Sequence, residues 1–112
     1  GGVVRLGPPG PVIALAEGLE TALSVWTRSG IPCWSALSAA GIGGFDLDLL
    51  PPNTPLLIAA DHDETGWLAA LNLLTRARQT GRAAAVVMPK RVGEDFNDLV
   101  RPQPETRDLL PV

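Results

Sequence analysis

The stretch Pro55–Gly66, PLLIAADHDETG, decides how the rest of the chain reads. LLIAA is a short continuous apolar run, the pattern of a strand buried on both faces. Asp61, His62, Asp63 and Glu64 follow it directly. Carboxylates this close repel one another unless a positive charge stands between them. After the acids the period changes. Leu68, Leu71, Leu74 and Ala77 recur at helical spacing between Glu64 and Thr80, and Gly81 is placed to end the helix. The segment therefore reads as strand, acidic turn and amphipathic helix.

The same pattern extends to either side. VIALAE (Val12–Glu17) predicts a second buried strand, and Leu19, Ala22, Leu23 and Trp26 predict a helix face that ends at Gly30. PCWSAL (Pro32–Leu37) and AAAVVM (Ala83–Met88) suit two more strands. VVRL, near the start, suits a short strand before the turn GPPGP. The glycines at 41, 43 and 44 predict a loop, and FDLDLL predicts a short helix or turn that Pro51 and Pro52 stop. EDFNDLV is expected to begin a short helix, and Pro102, Pro104 and Pro111 make an irregular tail. The expected division is an extension or linker over 1–11, one domain over 12–100 and a tail over 101–112. The start without methionine suggests a piece of a longer protein.

Strands alternating with helices imply an α/β fold, a parallel sheet covered on both faces. Such sheets bind ligands outside the carboxyl ends of their strands. That edge would collect Glu17, Asp61 and Asp63, with PKRVGEDFND following the last strand.

Composition narrows the classes. The chain has 112 residues, 46% of them hydrophobic, which suits one small domain with a real core. No apolar run approaches 20 residues, so no membrane partner is expected. The net charge of −3 argues against a protein that coats nucleic acid, but not against nucleic acid reached through bound cations. Cys33 is the lone cysteine and lies in an apolar stretch. It reads as a buried inert thiol in a cytoplasmic protein. Arg76, Arg78, Arg82, Lys90 and Arg91 cluster within sixteen positions, as a phosphate-facing patch or a solvated helix face.

Glu17, Asp61 and Asp63 offer hard oxygen donors. Mg²⁺ commonly takes one or two carboxylates plus waters and phosphates. A glutamate at a strand-to-helix turn suits general acid–base work or metal holding. Single acids near helix starts have a plainer explanation, since they complement the dipole and cap amides. Glu20 and Glu64 read that way, and Asp63 is a candidate cap. Acids gathered at separate strand ends are not explained by capping alone. His62 would point away from its neighbours in an extended segment and reads first as a loop residue, before ligand or base.

AEGLETALS (Ala16–Ser24), AADHDETG (Ala59–Gly66) and VGEDFNDLV (Val92–Val100), in this order, resemble the Toprim domain. They are most similar to its form in primase and primase–helicase proteins of phages, plasmids and mobile elements. The resemblance spans roughly Val12 to Val100. It implies a compact, Rossmann-like unit with a four-stranded, mainly parallel sheet flanked by helices. It also implies Mg²⁺- or Mn²⁺-dependent nucleotidyl transfer, as in a DNA primase making RNA primers for replication. By position, Glu17 matches the general acid–base glutamate, and Asp61 and Asp63 match the metal-binding pair. Asp95 matches a further acid near the metals, while Asn97 and Asp98 match the end of that motif. Arg82, Lys90 and Arg91 are candidate phosphate or nucleic-acid contacts by their place in the chain. The implied partners are nucleotides, a single-stranded DNA template and other domains of the same protein.

Alternatives stand beside this reading. The unit is otherwise a metal- or nucleotide-binding module inactive alone, or a nuclease or phosphoryl-transfer domain. The chain has no tyrosine, which excludes a self-contained tyrosine-dependent topoisomerase. DHDET also fits D-x-D-x-T of haloacid-dehalogenase-type phosphatases, but those carry it after the first core strand. GIGGF (Gly41–Phe45) lacks the lysine of a P-loop and reads as a turn.

Overall fold

A computed structural model describes residues 2–61 and 63–88. The strands are β1 (Val4–Leu6), β2 (Ile13–Ala16), β3 (Cys33–Ser35), β4 (Leu56–Ala59) and β5 (Ala84–Val87). The helices are α1 (Leu19–Ser29), α2 (Ala39–Gly43) and α3 (Glu64–Gln79), with a 3-10 turn at Leu47–Leu49. The sheet order is β1-β3-β2-β4-β5. The last four strands in that order are parallel, and β1 is antiparallel to β3.

The expected α/β sheet is present with five strands rather than four. The fifth is β1, drawn from the segment expected as an extension. It pairs Arg5 with Trp34, and the Arg5 guanidinium lies 4.5 Å from the Trp34 ring centre. A cation over an indole face holds this edge strand to the sheet.

Alternating residues feed two cores. Ile13, Leu15, Trp34, Leu56 and Ile58 face α2 and α3, with Phe45 edge-on to Trp34. Val12, Ala14, Cys33 and Leu57 face the other way, with Ala22 and Val25 of α1. Every residue of β2 and β4 is buried, because a central parallel strand is covered on both sides. Cys33 is fully buried, and burial pushes its thiol up to about 12. It is therefore inert, as its apolar setting suggested.

The helix faces differ from the simple leucine reading. In α3 the buried residues are Gly66, Ala70, Leu73 and Ala77, while Leu68 and Leu71 are 61% and 44% exposed. In α1, Ala22 and Val25 are buried, while Leu19 and Leu23 are each 48% exposed. Small residues let a helix sit close to the sheet, so alanine and glycine mark the inner face. Gly30 does end α1 at φ 76°, its N–H bonded to the Trp26 carbonyl at 2.8 Å.

The expected loop at 41–44 is in fact α2. Ser38 caps it, its hydroxyl accepting the Gly41 N–H at 2.9 Å. Gly41 is required by closeness: a Cβ there would lie 2.2 Å from the Ala36 carbonyl oxygen. Arg76 of α3 donates to the carbonyls of Gly43 (2.6 Å) and Phe45 (3.1 Å), tying the end of α2 to α3. Among the described residues no helix is long and apolar enough to cross a membrane.

Candidate functional site

The topology selects a place for chemistry. The connection leaving β2 forms α1 on one face of the sheet. The connection leaving its neighbour β4 forms α3 on the opposite face. Two adjacent parallel strands whose connections part in this way open a crevice at their carboxyl ends. Ala16 and Ala59 are register partners at that end. Glu17 follows the first, and Asp61 follows the second one residue later.

Glu17 and Asp61 are half-buried, and Asp63 is exposed. The Glu17 carboxyl is raised above its ordinary value, first by burial and then by the charges of Asp61 and Asp63. Asp61 and Asp63 thus lie near enough to Glu17 for their charges to bear on its carboxyl. An acid held above its usual value keeps a proton further toward neutrality, which suits a proton-transfer role.

The turns bearing the acids are braced. Ser35 is fully buried, and its hydroxyl donates to the Glu17 carbonyl at 3.2 Å while accepting the Leu37 N–H at 3.2 Å. The Ala36 N–H bonds the Ala16 carbonyl at 2.9 Å just beside it. This buried serine went unremarked in the sequence, where it looked like one more residue of an apolar strand. A polar residue at the carboxyl end of a buried run was the available signal.

Asp63 has a structural task of its own. Its Oδ1 accepts the Gly66 N–H at 2.6 Å, capping α3. Gly66 is buried against this turn, and a Cβ there would approach Asp63 Oδ1 to 3.1 Å and Asp61 Cβ to 3.6 Å. The cap uses one carboxylate oxygen and leaves the second. Glu20 and Glu64 lie in the first turns of α1 and α3, where acids complement the dipole.

Among the described residues, no group of three or more His, Cys, Asp or Glu side chains is arranged to hold a metal ion. The donors present nevertheless fit Mg²⁺ or Mn²⁺, because such ions accept few protein carboxylates and fill the remainder with water and phosphate oxygen.

Arg82 does not join the acids. It stands at the amino end of β5, the opposite sheet edge. Its Nη1 donates to the carbonyls of Thr54 (2.6 Å) and Pro51 (3.1 Å), and so holds the turn before β4. These backbone acceptors engage Nη1 alone, while the buried Nε has no hydrogen-bond partner among the described residues. His62, Lys90, Arg91, Asp95, Asn97 and Asp98 lie outside the described residues.

The family model described as Toprim domain matches residues 12–105. No curated protein and no solved structure matches the chain.

Proposed function

This chain belongs to the Toprim domain family, and we propose that it carries out divalent-metal-dependent nucleotidyl transfer as the catalytic domain of a DNA primase-like replication protein. The observation that supports the reading is that Glu17 follows β2 while Asp61 and Asp63 follow its parallel neighbour β4, with the charges of both aspartates bearing on Glu17. Asp61 and Asp63 would hold Mg²⁺ or Mn²⁺, with Asp95 as a further ligand and Asn97 and Asp98 accessory. Lys90 and Arg91 would contact phosphates. When bound, such an ion supplies positive charge for the oxygens of a transferring phosphoryl group. Glu17 holds or passes the proton of the attacking hydroxyl, aided by its raised affinity for protons. The partners are nucleoside triphosphates, a single-stranded template and further domains of a longer cytoplasmic protein.

Calorimetry with Mn²⁺ tests the metal site. Asp61→Asn combined with Asp63→Asn should abolish binding and leave the circular dichroism unchanged, since asparagine caps a helix as well as aspartate. Unchanged affinity would remove the assignment. The wild-type chain should also form Mn²⁺-dependent primers on single-stranded DNA, and Glu17→Gln should eliminate them. Metal binding without primers would reduce the unit to a binding module.

A further inference from the structure

A cleft of about 390 Å³ opens on the same sheet edge as the acids, lined by Val3, Leu37, Phe45, Asp46 and Leu49 together with backbone of α2. We propose that it receives the uncharged base-and-sugar end of a nucleotide whose phosphates lie at Asp61 and Asp63. The assignment rests on the metal-dependent reading above.

Three observations carry it. The first is position. Ala36, Leu37 and Ser38 form one wall and directly follow β3. β3 is the parallel neighbour of β2 and β2 that of β4, so this wall lies one strand spacing from the turn that bears Glu17 and two, roughly 10 Å, from the strand end followed by Asp61 and Asp63. The Ser35 hydroxyl joins the two turns.

The second is charge. The described lining contains no Lys or Arg, and its one ionisable side chain is Asp46. A phosphate chain would lose its hydration there and gain no cation. A neutral heterocycle loses little, and the apolar walls suit its faces. At the mouth, Ser38 and Asp46 already accept backbone N–H groups. The Ser38 hydroxyl still has a proton to donate, and Asp46 has a second oxygen to accept from an amino or hydroxyl group.

The third is conformation. Leu37 adopts φ 71°, a region that side chains beyond Cβ disfavour, and it stands 55% exposed on the cleft wall. Such a backbone persists only where its surroundings hold it, and here the Ser35 hydroxyl takes the Leu37 N–H. Gly41 keeps α2 against Ala36, so the back of the cleft is fixed as well.

The test separates the two ends of the ligand. Adenosine and uridine, titrated without metal at about millimolar concentration, probe the cleft through amide shifts. Mn²⁺ with tripolyphosphate probes the acids by calorimetry. Shifts should centre on Val3, Gly41, Phe45 and Leu49. Ala40→Phe, which fills the cleft from an exposed lining position, should weaken nucleoside binding at least tenfold. Leu49→Asp, a second change at an exposed position, should weaken it several-fold. Both variants should bind Mn²⁺–tripolyphosphate as wild type does. Tripolyphosphate binding without nucleoside shifts, or nucleoside affinity untouched by both variants, overturns the cleft assignment and spares the metal site. Nucleoside binding in the cleft without Mn²⁺–tripolyphosphate binding overturns the metal reading instead. Failure of both ligands to bind overturns both.

Discussion

The Glu17 carboxyl is raised above its ordinary value, first by partial burial and then by the charges of Asp61 and Asp63. Its folded pKa is therefore above its unfolded one. Between those two values the native state binds more protons than the unfolded state, so stability falls as pH rises. Below the ordinary value near 4.5 both states are protonated and the penalty is absent. Above the raised value the penalty is complete and constant. Glu17→Gln should accordingly raise the metal-free melting temperature at neutral pH, with the gain fading toward pH 4. Melting curves from pH 4 to 8 in chelator check this, and a gain that stays constant over that range would contradict the assigned electrostatics. Of the same cluster, the residue types and their order were legible in the sequence. The capping role of Asp63 was legible only as an alternative, because capping and metal binding both call for an acid before a helix.

Among the elements, the strands were the most readable part of the chain. Buried parallel strands are continuous apolar runs, and VIALAE, LLIAA and AAAVVM could hardly serve otherwise. α2 was not readable, because three glycines within GIGG score against helix by propensity alone. Tertiary contact decides there. Gly41 is needed because the helix rests on the Ala36 carbonyl. Gly41→Ala, favourable in an isolated helix, should destabilise this chain by about 1–3 kcal/mol through overpacking. Urea denaturation checks the sign, and a stabilised variant would show that α2 can move off the strand at no cost. The outward leucines of α1 and α3 carry the same lesson, since counting large apolar side chains located the helices but rotated their inner faces.

At the scale of the whole molecule, the sheet order places the acids. Nothing in the linear spacing of Glu17 and Asp61 states that β2 and β4 are neighbours. The order β1-β3-β2-β4-β5 makes them so, and their connections diverge to opposite faces. A crevice built from two halves of the fold also couples ligand binding to global stability. A cation bound only by the folded chain adds about 2.7 kcal/mol at one hundred times its dissociation constant. For a domain of this size that is a rise of roughly 10 °C in melting temperature. In the metal-free chain the charges of Asp61 and Asp63 bear on the half-buried Glu17. Asp61→Asn with Asp63→Asn should therefore melt above wild type in chelator, since it removes repulsion while keeping the α3 cap. It should then fail to rise when Mn²⁺ is added, so that the two melting curves exchange order as metal is titrated. A double variant that melts below wild type in chelator would deny the repulsion, and one that gains as much as wild type from Mn²⁺ would move the cation away from these aspartates.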